Sequence, residues 1–232
     1  MKKVFVRTIT GIIYLSILAL AFFLPLPIRN YVLLSVFTVF LCIALFEYCN
    51  LIQKFSAPQN SIQYAIRRWI LPIVWIVFPV LLLEYWCVFF NATIILVALI
   101  AILCTNDTLA YIFGTLFGKH KIWTKVSPKK SWEGFLGGLI STMAICWLIT
   151  YIAYFQNDIF NTSYLWAGFA FVIIIAGTFG DFAESMLKRL AQQKDSGVIL
   201  PGHGGILDRI DSLLFAVPAG FIYWMIVRLF KF

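Results

Sequence analysis

The chain has 232 residues, 62% of them hydrophobic and only 12% charged, with a net charge of +8. Soluble domains are about 45–50% apolar and about 25% charged, so this composition excludes an ordinary soluble domain and argues for an integral membrane protein. The mean hydropathy of +0.93 agrees, and the positive balance then points to membrane topology or to phosphate and headgroup binding, with no nucleic-acid partner expected.

Apolar runs fall at roughly 9–28, 31–52, 69–83, 86–104, 134–155, 163–180 and 212–230. They are long and unbroken, which suits helices and not the alternating strands of a barrel. The fold expected is therefore all-α and polytopic, with about seven to eight transmembrane or re-entrant helices at about 20 residues per span. A single membrane domain covers 1–232, with N-terminal helices over 1–104 and a catalytic half over 105–232. The Met-Lys-Lys start resembles a signal peptide, but no soluble domain follows it, so a retained first span is expected.

Pro25 and Pro27 close the first run. The loop 53–68 carries Lys54, Arg67 and Arg68 and is expected in the cytoplasm. The Leu83-Glu84-Tyr85 junction lacks cations and is expected on the far side. Glu47 and Glu84 are isolated acids at span ends and read as interfacial. The five cysteines lie in or beside apolar runs without a Cys-x-x-Cys pair, so they are core residues and not a zinc or disulfide framework. The short run at 107–118 is too brief to cross alone, which leaves two readings: it dips into the bilayer and returns, or it belongs to a full span. With a dip, residues 119–133 and 181–211 face the cytoplasm but Arg228 and Lys231 fall outside, against the positive-inside rule, so either 107–118 spans fully or the C-terminal segment does not cross cleanly.

Two polar islands interrupt the oil. The first holds Asn106-Asp107, Gly118-Lys119 and Ser127-Pro128-Lys129-Lys130-Ser131-Trp132-Glu133-Gly134. Adjacent lysines in a Ser-Pro turn suit a polyphosphate, and a loop capping a helix from Ser131 suits the same residues equally. The second, 181–211, gathers the acids Asp181, Glu184, Asp195, Asp208 and Asp211 with the cations Lys188, Arg189, Lys194 and Arg209. Unpaired charge beside apolar spans is costly, so this density marks a reaction site. Asp181, Glu184, Ser185 and Lys188 share one helix face, as do Asp208, Asp211 and Ser212. Two carboxylate faces suit a hard divalent cation that keeps water and substrate phosphate; the alternative is interhelical ion pairing, for instance Asp208 with Lys188. Between them, Pro201-Gly202-His203-Gly204-Gly205 has the glycines of a phosphate nest or of an ordinary turn.

The string Ser185-x-x-Lys188-Arg189-x₄-Lys194-Asp195-x-Gly197-x₃-Pro201-Gly202-His203-Gly204-Gly205-x-x-Asp208-Arg209-x-Asp211 resembles the signature of the phosphatidate cytidylyltransferases. Ser127 to Gly134 is similar to that family's second motif, with Ser131 where Thr is usual. The resemblance covers about the C-terminal half. It implies transfer of CMP from CTP to phosphatidic acid, giving CDP-diacylglycerol and pyrophosphate, with Mg²⁺ and a monovalent K⁺ as cofactors. It also implies a bacterial inner-membrane location, a cytoplasm-facing site and a homodimer. Under it, Asp181, Asp208 and Asp211 hold the metal, with Glu184 a weaker candidate. Lys129, Lys130, Lys188, Arg189 and Arg209 hold the triphosphate and stabilise the leaving group. Lys119, Ser127 and His203 are further substrate contacts, and Asp195 orders the loop by pairing with Lys194. A related CTP-dependent lipid or polyprenol-phosphate enzyme is the nearest alternative. A cation transporter is the distant one, because it would not need so many cations.

Overall fold

The computed structural model describes residues 24–54, 62–90, 93–152, 162–197, 199 and 204–230. Among them are six helices long and apolar enough to cross a bilayer, with one small hairpin. The chain is an all-α polytopic membrane protein. The expected seven to eight counted the whole chain, and most of the first apolar run lies outside the described residues, which hold these six.

Helix α1 is Leu26–Gln53, entered through Pro25 with another proline in its first turn, where a missing N–H costs nothing. Helix α2 spans Ile62–Phe89 and contains two π-helical stretches, Ile66–Ile70 and Ile73–Val77. Each is followed at two residues by a proline, Pro72 and Pro79. A proline gives no N–H and crowds the carbonyl four residues back, and a widened turn relieves both faults. Glu84 lies inside α2, and its carboxylate accepts a hydrogen bond from Thr38 at 3.2 Å. The turn expected at 83–85 is therefore absent: the helix runs on to Phe89.

Helix α3 is Thr93–Phe117. It joins most of the 86–104 run to the short 107–118 run, so no re-entrant dip forms there. Asn106-Asp107 does not break it, since an α-helix satisfies its own backbone even in lipid. Strands β1 (Lys121–Trp123) and β2 (Ser127–Ser131) pair antiparallel, with Lys121 opposite Ser131. The Ser-Pro-Lys-Lys stretch is thus a strand and not a turn. Helices α4 (Trp132–Ile152), α5 (Ser163–Leu190) and α6 (Leu207–Phe230) complete the order.

The chain divides into two compact units. One comprises Met1–Thr93 with Met186–Asp211, the other Ile94–Ser185 with Ser212–Phe232. In the first, buried Tyr48 donates to the Arg67 carbonyl at 2.7 Å and sets its ring against Trp75. In the second, α3 and α4 approach closely over small residues: a Cβ on Gly138 would stand 2.9 Å from that of Ala110, and one on Gly134 would stand 2.7 Å from the Ala110 carbonyl. Small residues at a crossing are how helices associate in lipid, where burial of apolar surface drives nothing.

Candidate active site

In the second unit, a cavity of about 730 Å³ opens among α3, the hairpin, α4, α5 and the start of the Ser212 segment. Its lining mixes polar Asn106, Asp107, Lys121, Lys129, Lys130 and Asp181 with apolar Leu103, Ala110, Phe135 and Ile174. Lys130 forms an ion pair with Asp181, and its ammonium sits 4.8 Å from the Phe182 ring centre. Asp107 is within electrostatic reach of both Lys130 and Asp181. Ser185 donates to Asp181 at 3.2 Å, which realises the expected i, i+4 face on α5. Glu184 is fully buried and takes no part in the cavity wall.

The hairpin that carries the lysines is clamped at its base. The Glu133 carboxylate, in the first turn of α4, accepts from the backbone amides of Lys119 and His120, each at 3.2 Å, and meets His120 Nδ1 at 2.6 Å. Ser131 Oγ accepts from Gly134 N at 3.2 Å, the helix cap anticipated in the sequence. Cap and phosphate readings are therefore compatible: Ser131 caps, while Lys129 and Lys130 line the cavity. Ser127 begins β2, opposite Trp123. Lys119 is exposed and lies beyond the cavity lining.

In the first unit, the connection from α5 to α6 is built around two carboxylates. Asp208 Oδ2 accepts from Ser196 N at 2.9 Å, Ser196 Oγ at 3.0 Å and Gly205 N at 2.8 Å. Its Oδ1 meets Lys188 Nζ at 2.7 Å. Glu47, from α1, accepts from Ser196 Oγ, Ile206 N and Leu207 N at 3.1, 3.1 and 2.9 Å. The Gly205 amide, in the stretch read in the sequence as a phosphate nest or an ordinary turn, is thus taken by Asp208, and the next two amides by Glu47. Gly204 needs its glycine for a φ of +84°. Lys194 and Asp195 are both exposed, and the bonds that order the loop run to Glu47 and Asp208, not between those two. Arg189 and Arg209 are exposed, and Asp211 is half-buried. His203, with Pro201 and Gly202, lies outside the described residues.

Among the described residues, no group of three or more His, Cys, Asp or Glu side chains is placed to hold a metal ion by itself. The donors on the cavity wall are nevertheless all oxygen. Mg²⁺ commonly takes only one or two carboxylates and completes its shell with water and substrate phosphate, so Asp107 and Asp181 fit such an ion.

The sequence pattern of the cytidylyltransferase family matches residues 2–227. The chain belongs to that family. Phosphatidate cytidylyltransferases from three staphylococci are among its relatives. That of Staphylococcus aureus strain COL is 43% identical over 113 residues, covering 49% of this chain and 42% of the relative. Those of S. haemolyticus and S. saprophyticus are 47% and 50% identical over 113 and 115 residues, with the same shares covered. The aligned stretch thus spans less than half the length of these relatives.

Two residues of this family member carry more than the sequence suggested. Asp107, placed by the sequence in the first polar island without a role of its own, sits mid-helix on α3 and lines the cavity. Glu47, read as interfacial, is 2% exposed and organises a loop about 150 residues away in sequence. The available signal was a lone acid inside an apolar span, which has to find a partner.

Proposed function

We propose that this protein transfers CMP from CTP to phosphatidic acid, releasing pyrophosphate and leaving CDP-diacylglycerol in the membrane. The observation that carries the reading is the cavity of the second unit. It gathers two carboxylates and three lysines in one lining with apolar side chains, as a substrate with a phosphate head and hydrocarbon tails requires.

In the reaction, a phosphate oxygen of the lipid attacks the α-phosphorus of CTP. The new P–O bond forms as the bond from the α-phosphorus to the β-phosphate oxygen breaks, and pyrophosphate leaves with that electron pair. The lipid phosphate is already a nucleophile, so no strong base is needed. The barrier lies in bringing two anions together in line. Lys130 and Lys129 lower it by attracting phosphate, and Asp181 holds Lys130 in place. Asp107 and Asp181 would hold Mg²⁺, which neutralises triphosphate charge and polarises the reacting phosphoryl group; a K⁺ ion is a proposed companion. In the first unit, Asp208 orients Lys188, and Lys188 with the exposed Arg189 and Arg209 offers cations to phosphate. Asp211, Glu184, Lys119, Ser127 and His203 complete the proposed set. The cation-bearing connections face the cytoplasm of a bacterial inner membrane by the positive-inside rule, where CTP is found, and the protein acts as a homodimer.

The test is direct. Protein purified in detergent and given labelled CTP, phosphatidic acid and Mg²⁺ forms labelled CDP-diacylglycerol. Absence of product above a mock preparation defeats the reading, and product only with a polyprenol phosphate moves the protein to the neighbouring substrate class.

A further inference from the structure

A carboxylate as deeply buried as Glu47 is expensive unless it is fully bonded. Two of its three donors are the Ile206 and Leu207 amides, where α6 begins. The first N–H groups of a helix have no partner within it and favour negative charge. The third is Ser196 Oγ, which also reaches Asp208 at 3.0 Å. One hydroxyl proton cannot serve two carboxylates at once, so the position of each constrains the other. Asp208 in turn holds Lys188. The glycines agree: a Cβ on either Gly197 or Gly205 would collide with the Glu47 carboxylate. At these two motif positions, glycine makes room for an acid from α1.

We propose that Glu47 is a positioning residue for cytidylyl transfer, setting the orientation of Asp208, and through it Lys188, by way of Ser196 and the first amides of α6. This inference rests on the activity proposed above. An inert buried acid would need neither a hydroxyl shared with Asp208 nor two glycines carved around it.

Glu47→Gln keeps the volume but turns one acceptor into a donor that faces a backbone N–H. It is expected to lower kcat by about 100-fold, the scale of a misplaced catalytic group. KM for phosphatidic acid should stay within about threefold, since uniform binding is untouched. Glu47→Asp, which restores the charge, should recover a large part of the rate; because a buried donor facing an N–H costs about 1–3 kcal/mol, rates are compared at a temperature where circular dichroism shows each variant fully folded. Ser196→Ala cuts the link to Asp208 and leaves Glu47 in place; it should reduce kcat in the same direction by about 10-fold. A Glu47→Gln enzyme with parental kcat overturns the inference. So does a loss that tracks the thermal midpoint and is not rescued by aspartate. If Glu47→Gln does not fold, Ser196→Ala decides, and parental kcat there overturns it equally. An inactive parent protein would refute the proposed activity first, whereas an active parent with unaffected variants would refute only the role of Glu47.

Discussion

At the residue scale, the cavity wall separates activity from stability. Lys130 and Asp181 are each about 30% exposed, and ion pairs of that kind contribute about 0–1 kcal/mol to folding. Asp181→Asn is therefore expected to leave the thermal midpoint nearly unchanged while lowering kcat by about 100-fold or more, because it removes charge aimed at the reacting phosphates. Steady-state rates measured beside a melting curve check this, and unaltered turnover would remove Asp181 from the site. Replacing both Lys129 and Lys130 with Ala should raise KM for CTP by about 10-fold, from two lost charge-assisted contacts; an unchanged KM would leave the hairpin with only a structural role. Asp208 was read in the sequence as a metal ligand, and the ion pair with Lys188 was the stated alternative. That pair forms, with three further donors on the same carboxylate. No sequence spacing reveals the competition, since Ser196 and Gly205 reach Asp208 only once the loop has closed.

At the element scale, the end of α5 shows a local fault that can be repaired. Gln192 has a φ of +53°, and the amides of Gln192 and Gln193 close back on the carbonyls of Arg189 and Lys188. This is the left-handed helix stop that glycine usually occupies. A non-glycine residue there costs roughly 1 kcal/mol, so Gln192→Gly is expected to raise the denaturation midpoint slightly in a detergent melt without changing the rate. Gly138 is the opposite case. Its α-carbon faces Ala110 with no room for a side chain, and Gly138→Val should destabilise by about 1–3 kcal/mol through overpacking, visible as a lower midpoint. The cap at Ser131, the helical face of Asp181 with Ser185, and the spans 31–52, 134–155, 163–180 and 212–230 were all legible in sequence. Hydrogen bonding along a helix is local, and so is its signature. The hairpin was not legible, because three- and five-residue strands rich in lysine carry little periodic signal and depend on the Glu133 clamp.

At the scale of the whole molecule, the exposed apolar side chains along the spans are numerous, as a lipid environment demands. With α3 a single helix long and apolar enough to cross, the hairpin follows a span with no re-entrant segment before it. A cysteine at Lys125, in a background lacking the five native ones, should react with a membrane-impermeant maleimide in inverted vesicles and not in intact cells. The reverse pattern would place the site on the other face. If Mg²⁺ acts at the site, EDTA should abolish product formation and added Mg²⁺ should restore it, without loss of helical signal in circular dichroism; activity persisting in EDTA would remove the metal from the mechanism.

By itself the sequence determined what depends on neighbours along the chain: a hydrophobic bundle of spanning helices, and two polar islands whose motifs mark the family. Lipid forces helices and tolerates charge only with a purpose, so composition and motif suffice for both. The tertiary structure alone decided the partners of the acids. Asp107 joins Asp181 around a cavity, and Glu47 claims the amides that the glycines expose. These pairings cross long stretches of chain, and a buried carboxylate is settled by whichever donors the folded backbone brings to it.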